Sequence, residues 1–306
     1  MVKDLLETYL QNKGARKLGF GQHQSFYLRI YWLRKAIQQI EINNRFFYQK
    51  NASELIGLGT NMVNSLKHWI VAADICEVDK RGSDNKVIHR KSPFGEIFDS
   101  YDPYIELNDT ASIIHYHLVD DIEPCTTWYW FFNEYDKTSF EKEEVLGDYL
   151  TWLNKNYESK NSTNTLERDL ECLFKQYYSK STITDPEEVI QSPLTSLKLI
   201  DEKEGRIYKK SPKYEEIGLS ALMYVLLKYN QYEISIDEIE NAKNLWGKVF
   251  NMQRSEIVKA IEQLASKSRY PLIFDRTNRL DLIRLEQEDP IEFLKEEYIR
   301  KERALK

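Results

Sequence analysis

The sequence is poor in the residues that mark fibrous, disulfide-stabilised or membrane-spanning proteins. Among its 306 residues there are only 11 Gly and 8 Pro, which argues against a fibrous or low-complexity chain. Three cysteines, Cys76, Cys125 and Cys172, lie far apart without metal-ligand spacing, and we expect them to be reduced, buried thiols. No run reaches the roughly 18 to 20 apolar residues of a spanning helix, and the first residues are too charged for a signal peptide. These absences predict a folded cytoplasmic protein with no membrane partner.

Sequence motifs for phosphate binding and for catalysis are also missing. The "GLG" at residues 57–59 lacks the Lys-Ser or Lys-Thr that follows in a P-loop, and no G-x-G-x-x-G follows a strand pattern. The acidic runs at residues 120–123 and 141–144 lack the lysine of a nuclease-type D-x(n)-E-x-K pattern, so we interpret them as surface acids. We therefore expect no catalytic residue and no cofactor, and a protein that is not an enzyme.

Histidines provide the remaining candidates for chemistry. His115-x-His117 followed by Cys125 is the only arrangement that resembles metal ligands. On a helix, positions i and i+2 diverge by about 200°, so the two histidines could share an ion only on a strand or loop. We expect no metal there and an orienting structural role for His23. A cryptic metal-dependent nuclease built on His23 or on this pair stays open as an alternative.

Positive charge is concentrated in the first third of the chain. The overall net charge is -6, but residues 1–100 hold 15 Lys or Arg against 10 Asp or Glu, whereas the remainder holds 28 against 39. A polyanion would be attracted to the first third and repelled by the rest.

The pattern in this basic third is that of a winged helix-turn-helix. "LRIYWLRKAIQQIEI" predicts an amphipathic helix with a basic flank, "NASELIGLGTNMVNSLKHWIVAADICEV" two helices around a glycine turn, and residues 79–92 a basic hairpin. Asn side chains can pair with adenine, hydroxyls can reach bases or phosphates, and basic side chains contact phosphates. The predicted nucleic-acid-binding residues are Arg29, Arg34, Lys35, Thr60, Asn61, Asn64, Lys67, His68, Lys80, Arg81, Lys86, Arg90 and Lys91.

Three units follow from the patterns along the chain, and together they predict a mainly α fold. Residues 1–100 form the winged helix-turn-helix, residues 101–212 a helical middle domain, and residues 213–306 a second winged-helix-like unit with a charged tail helix expected on the surface or against a partner. In the middle, "TTWYWFFNEY" is more typical of an aromatic core than of a base-stacking surface. Acidic residues in the C-terminal unit favour protein contact or dimerisation there.

The sequence also resembles a known family. The resemblance begins in "GFGQHQSFYLRIYWLRKA" and continues through "GLGTNMVNSLKHWIVAADI", "DPYIELNDTASIIHYHLV", "TTWYWFFNEY" and "LERDLECLFKQYY", so it covers nearly the whole chain. The family is the bacterial domain of unknown function 4007. The chain departs from the family pattern at "SIIHYHLV", where an aliphatic-Trp-Leu run is expected, and its C-terminal unit matches loosely. In the opening block the resemblance is carried by Gly21, His23, Gln24, Phe26, Arg29, Trp32, Leu33 and Lys35.

What the resemblance implies is a genomic setting, not a demonstrated activity. Members lie among phage-defence genes, commonly beside a sulfurtransferase related to phosphoadenosine phosphosulfate reductases and the DNA-sulfur-modification (phosphorothioation) machinery. We therefore expect a DNA-binding accessory or regulatory component of such a system. Its partners would be double-stranded DNA, a sulfurtransferase-like or other defence protein, and a second copy of the chain. A non-catalytic protein-protein adaptor for a modification or nuclease subunit is the main alternative.

Overall fold

The computed structural model describes residues 17–79, 87–157, 162–178, 191–276 and 281–305. Of these residues, 57% are helical and 12% lie in strands, which confirms the mainly helical class. None of the helices in the described ranges combines the length and apolarity needed to cross a membrane. The three cysteines are free and buried, as expected.

Helices before and after a two-stranded hairpin make up the described part of the first hundred residues. In the first helix the buried residues recur at helical spacing, from Trp32 and Leu33 through Ala36 and Ile37 to Ile40. The strands of the hairpin are antiparallel. The elements are α1 (Trp32–Ile42), a 3-10 turn (Phe46–Tyr48), α2 (Ala52–Ile56), α3 (Thr60–Ala72), β1 (Cys76–Asp79), β2 (Ile88–Lys91) and α4 (Pro93–Tyr101).

A central helix and a small sheet organise the middle of the chain. Every residue of this helix after the first, from Asp109 to Val119, is buried, as expected of a helix surrounded by protein. Its polar side chains hydrogen-bond inside the fold, for example Ser112 Oγ to the Ile217 carbonyl at 2.8 Å. The elements are α5 (Asn108–Val119), α6 (Thr126–Asn133), β3 (Ser139–Phe140), α7 (Lys142–Asn156), α8 (Thr163–Tyr177), a 3-10 turn (Pro193–Leu197), β4 (Ile200–Lys203) and β5 (Arg206–Lys209).

The last third contains a second three-stranded sheet. Residues 277–280 lie outside the described residues, and the strands on either side of them pair antiparallel from Leu272 opposite Leu285 to Arg276 opposite Asp281. The elements are α9 (Tyr214–Ile217), α10 (Leu219–Tyr229), β6 (Glu233–Ser235), α11 (Ile236–Asn241), α12 (Trp246–Val249), α13 (Arg254–Ala265), β7 (Leu272–Arg276), β8 (Asp281–Leu285) and α14 (Pro290–Leu305).

One order of elements occurs twice, and the sequence had not indicated its first occurrence. Both the stretch from α6 to β5 and the stretch from α10 to β8 run helix, strand, helices, hairpin, with the first strand paired to the last, giving sheets β3-β5-β4 and β6-β8-β7. The basic third contributes only the pair β1-β2 within the described ranges. The assignment of winged-helix units to the two ends stays a prediction.

The buried apolar residues form one continuous cluster from Tyr27 to Tyr298. The tail helix α14 belongs to it: Phe293, Leu294 and Tyr298 are buried, so the expectation of a purely surface or partner-bound tail is wrong for this face. Asp109 of α5 ties the same region together, because its carboxylate accepts from the Ala221 N–H at the start of α10 and lies 2.5 Å from Lys301 Nζ of α14.

Candidate nucleic-acid interface

The start of α3 is an open, uncapped helix end. Gly57 ends α2 with φ 68°, a left-handed conformation that glycine adopts without strain. Gly59 then precedes α3, and no side chain caps its first turn, which also contains no acidic residue. The first N–H groups of a helix carry partial positive charge and no intrahelical partner, so this end suits an anion.

The polar residues predicted on α3 lie on one face. Thr60, Asn61 and Asn64 are exposed, and Lys67 is half-buried one turn further on. The opposite face, with Val63, Leu66, Trp69 and Ile70, packs into the core. The spacing of polar and apolar residues therefore presents the helix start to solvent, as a recognition helix requires.

Three of the predicted nucleic-acid-binding cations have no carboxylate partner among the described residues: Arg34, Lys35 and Lys67, which we call the open cations. The Arg34 guanidinium lies 4.9 Å from the ring centre of Tyr104, and Lys67 Nζ lies 5.3 Å from that of Tyr48. A tyrosine ring attracts a cation without neutralising its charge. The open cations therefore keep their positive charge available to a polyanion.

Arg90, in the predicted wing, is less available than its sequence suggested. It stands opposite Glu77 in the β1-β2 ladder, and its Nε donates to Glu77 Oε1 at 2.9 Å, with Asp79 Oδ2 3.6 Å from its Nη1. At 44% side-chain exposure the pair is solvated and weak. Lys80, Arg81 and Lys86, which were predicted beside it, lie outside the described residues.

Lys91 is bound to three acids instead of facing solvent. Its Nζ lies 2.7 Å from Glu41, 3.1 Å from Glu96 and 3.1 Å from Asp99, with 18% of the side chain exposed. Partial burial opposes its charge, but the hydrogen bonds that Lys91 donates to these carboxylates outweigh it and raise the pKa of Lys91 above its usual value. Lys91 therefore fastens α1 and α4 to the hairpin, and a phosphate would have to compete with three carboxylates.

Arg29 points inwards, and His68 is half-buried. Arg29 is 8% exposed, and its guanidinium lies 5.8 Å from the Tyr27 ring centre and 5.4 Å from that of Trp32. His68 Nε2 lies 3.6 Å from Cys125 Sγ. Burial, with repulsion from His23, lowers the pKa of His68 to about 3, so its ring is neutral at physiological pH. Burial withdraws Arg29 from solvent, and a neutral His68 adds no positive charge for a phosphate.

His23 has the orienting environment expected of it. Its Nδ1 accepts from the Ser25 N–H at 3.0 Å, so the proton lies on Nε2, which donates to the buried Asp169 at 2.7 Å. Asp169 also accepts from the Gly21 N–H at 3.0 Å and from Thr127 Oγ1 at 3.2 Å. This network fastens the segment before α1 to α6 and α8.

His115 and His117, the pair considered as metal ligands, point away from each other on the buried helix α5. His115 is fully buried and bonds to the Tyr177 hydroxyl at 2.6 Å and to the Val249 carbonyl at 2.7 Å. His117 Nε2 lies 3.1 Å from the Tyr224 hydroxyl. Because i and i+2 diverge on a helix, the rings do not converge, and no group of three or more His, Cys, Asp or Glu in the described ranges is placed to hold a metal ion.

The aromatic run of α6 is core, as its composition indicated. Trp128, Trp130, Phe131 and Phe132 are at most 2% exposed. Exposed aromatic residues occur elsewhere: Tyr31 is 54% exposed, Tyr48 49% and Tyr104 43%. The sequence reasoning missed these tyrosines, and the available signal was "YDPYIE", a tyrosine placed after proline in a turn.

Comparison with known proteins identifies the family and the fold. A family profile described as "Protein of unknown function (DUF4007)" matches residues 20–298, and the chain therefore belongs to this family. The fold is similar to a solved structure described as "Magnesium ion-bound SspB crystal structure", with 19% identity, a TM-score of 0.82, and coverage of 92% of this chain and 87% of that one. A second, "SspB crystal structure", matches at 19% identity over the same shares of both chains, with a TM-score of 0.81. No curated protein matches the sequence.

Proposed function

We propose that this member of the DUF4007 family binds double-stranded DNA through its first hundred residues, as a non-catalytic accessory or regulatory component of a phage-defence or DNA-modification system. The observation that carries the proposal is the combination of open cations with an exposed, uncapped start of α3. Cations without carboxylate partners release the counterions of phosphates on binding, which is the main source of affinity for duplex DNA.

The order α1, α2, α3 and hairpin supports a winged helix-turn-helix, in which the second helix of the motif lies in the major groove with its first residues at base edges. On α3 these first residues are Thr60, Asn61 and Asn64, all exposed. An Asn can donate to and accept from adenine at once, which discriminates bases by about 1–3 kcal/mol. Lys67 follows one turn later and would contact the phosphates flanking the groove.

Fewer residues are expected to contact DNA than the sequence predicted. Arg34, Lys35 and Lys67 become the principal phosphate ligands, and the hairpin residues Arg90 and Lys91 become secondary because acids already bind them. The buried Arg29 and the neutral His68 are left out, while Lys80, Arg81 and Lys86 stay predictions.

The biological setting rests on the family. The similar solved structures are named SspB, and the gene neighbourhood implied by the family resemblance places members beside DNA-sulfur-modification genes. A sulfurtransferase-like protein is accordingly the proposed partner, and the acidic remainder of the chain would offer it a surface that does not compete for DNA. No metal role is proposed: binding of magnesium is described for the related SspB structure, and the described residues here do not form a ligand cluster for it.

The test is a salt titration with matched charge variants. Fluorescence anisotropy would follow a labelled duplex from about 50 to about 200 mM KCl, since phosphate contacts give a linear log-log dependence of affinity on salt. The test variant carries Arg34→Gln, Lys35→Gln and Lys67→Gln; the control carries Arg254→Gln, Lys259→Gln and Arg276→Gln, which removes the same charge from the other end. We expect the test variant to lose about 0.9 of slope for each lost phosphate contact, and the control to match the wild type.

Three results would overturn the proposal. The first is no binding by the wild type at the lowest salt, and the second is affinity that does not depend on salt. The third is equal weakening by both triple variants, which would indicate a response to net charge only. A stable complex with a modification or nuclease subunit in the absence of DNA binding would favour the adaptor function. Duplex nicking in the same samples, with and without Mg²⁺, would contradict the non-catalytic role.

A further inference from the structure

We infer that Tyr31, Arg34 and Tyr104 form a stacking platform for an unpaired base, so that the protein prefers DNA with a gap, flap or extruded nucleotide over intact duplex. This inference rests on the proposed DNA binding and adds a substrate class to it. The platform lies at the start of α1 and in the turn after α4, and it does not include the polar face of α3.

The three side chains form one exposed cluster. The rings of Tyr31 and Tyr104 lie edge to face, with centroids 6.4 Å apart and planes at 72°. Both rings are half exposed, at 54% and 43%. The Arg34 guanidinium packs over Tyr104 at 4.9 Å, and Lys35 is exposed next to it in sequence. Apolar rings and cations are thus presented to solvent together, whereas most other aromatic residues of the chain are in the core.

The turn that carries Tyr104 is held rigidly and at a conformational cost. Ile105 has φ 57°, a conformation that β-branched residues rarely adopt, while its own side chain is 8% exposed. The buried Asp102 carboxylate fixes the turn by accepting from the N–H groups of Glu106 at 2.8 Å and Leu107 at 3.0 Å. A strained residue held by buried contacts persists where the structure needs a particular geometry, and here the result is an exposed Tyr104 ring.

A base suits this cluster better than a protein side chain because of the charges beside the rings. Bases stack on tyrosine faces, and their phosphates require cations within reach. Arg34 and Lys35 supply these cations and have no carboxylate partner among the described residues. Within an intact duplex both faces of each base are already stacked, so only an unpaired or extruded base can reach the platform.

The experiment compares two DNAs that differ in one unpaired base. The first is an intact duplex, and the second is the same duplex with a one-nucleotide gap opposite 2-aminopurine, whose fluorescence falls when it stacks on a ring. Wild type, Tyr104→Ser, Tyr104→Phe and Tyr31→Ser would be titrated with each DNA. Tyr232→Ser is the matched control, because Tyr232 is a similarly exposed tyrosine (60%) in the last third, outside the basic part of the chain.

We expect the wild type and Tyr104→Phe to bind gapped DNA more tightly than duplex and to quench the 2-aminopurine. Tyr104→Ser should lose about 5- to 150-fold in affinity for gapped DNA, the range of one stacked base, with unchanged affinity for duplex. Tyr31→Ser should lose affinity in the same direction, and Tyr232→Ser should not. Urea unfolding of each variant checks that the fold is intact.

The outcomes separate the platform from DNA binding itself. If the wild type binds intact and gapped duplex equally and does not quench the fluorophore, the platform is wrong and the proposed function stands. If Tyr104→Ser weakens both DNAs equally, Tyr104 is a general contact and the platform is again wrong. Binding of gapped DNA alone would support the platform and overturn the duplex-binding proposal. Failure to bind either DNA would overturn both.

Discussion

Several surface cations at the two ends of the chain have different partners. In the first third, Arg34 and Lys67 lie over tyrosine rings and have no carboxylate partner among the described residues. In the last third, Arg254 bonds to Asp237, and Lys259 bonds to Glu256 at 2.6 Å. The comparison shows that the charge available to a ligand depends on where the acids lie and not on the count of basic residues.

Acid should weaken the first two thirds before the last third. All five histidines of the sequence precede residue 118. Burial lowers the pKa of His115 to about 4, and burial with repulsion from Lys67 lowers that of His89 to about 4. A lowered pKa means that the unfolded chain binds protons first, so this contribution is complete above the unfolded pKa and is lost as pH falls from about 6.5 towards about 4.

We expect the free energy of unfolding to fall by up to about 2 kcal/mol for each such histidine between about pH 6.5 and pH 5. Urea unfolding at both pH values measures the total. Hydrogen exchange, corrected for its intrinsic pH dependence, shows which residues lose stability. The last third contains no histidine, and carboxylates of ordinary pKa titrate only near pH 4. Loss confined to residues 213–306, or stability that rises on acidification, would contradict the prediction.

Removing a C-terminal cation should weaken the fold and leave DNA binding unchanged. Arg300 Nη1 lies 2.6 Å from Glu297, whose carboxylate is 1% exposed and also accepts from Ser220 and Tyr270. Arg300→Gln should cost about 2 kcal/mol: losing one partner of a buried pair costs roughly 3–5 kcal/mol, and water replaces part of the contact at a 41% exposed arginine. Arg254→Gln, in an exposed pair, should cost less than about 1 kcal/mol. Equal losses in urea unfolding would contradict this account.

Two matched Glu–Arg pairs across strands allow the same charge change to be made at each end of the chain. Glu77 stands opposite Arg90 in β1-β2, and Glu233 stands opposite Arg284 in β6-β8, with N–O distances of 2.9 and 2.8 Å. Glu77→Gln frees a cation in the basic third, and we expect its affinity for duplex DNA to rise by up to about tenfold, the value of one phosphate contact near 0.1 M salt. Glu233→Gln makes the same change at the other end of the chain and should have no such effect. A similar gain in both variants would show that only net charge matters.

The smallest effect is expected at the uncapped start of α3. A Cβ at Gly59 meets no atom within 4 Å, so side chains are accommodated there. Gly59→Ser and Gly59→Asp should each stabilise the protein by a few tenths of a kcal/mol by capping the helix. Only Gly59→Asp adds negative charge where a phosphate would bind, so it should weaken duplex binding relative to Gly59→Ser. Equal affinities in the anisotropy assay would remove the helix start from the interface.

Local patterns predicted the parts of the molecule that depend on local spacing. The alternation of polar Thr60, Asn61 and Asn64 with apolar residues predicted the exposed face of α3, because helical periodicity needs only neighbours within one turn. The aromatic core of α6 followed from composition in the same way. The pairing of β3 with the hairpin β4-β5 could not be predicted in this way. β3 has only two residues, and Tyr208, the partner of Ser139, is far along the chain. Pairing of such distant short strands leaves no periodic signal.

The electrostatics of the candidate site could be predicted only in part for the same reason. The sequence predicted Lys91 as a phosphate ligand, but in the structure it donates a hydrogen bond to Glu41, 50 residues away. Tyr104 and Arg34 come together through the turn after α4, and neither residue alone marks a site. Accessible charge is a property of tertiary contacts, whereas charge counts are a property of sequence.

The buried polar contacts between distant segments have an evolutionary consequence. His23 and Asp169 are 146 residues apart, and Asp109 holds the N–H of Ala221 112 residues away. Recombination that replaced one end of the gene would leave these groups buried without partners, at a cost of about 1–3 kcal/mol for each one. The units would therefore be inherited together, which agrees with a family match that runs unbroken over residues 20–298. New specificities in this family would then arise by substitutions on exposed faces, not by exchange of modules.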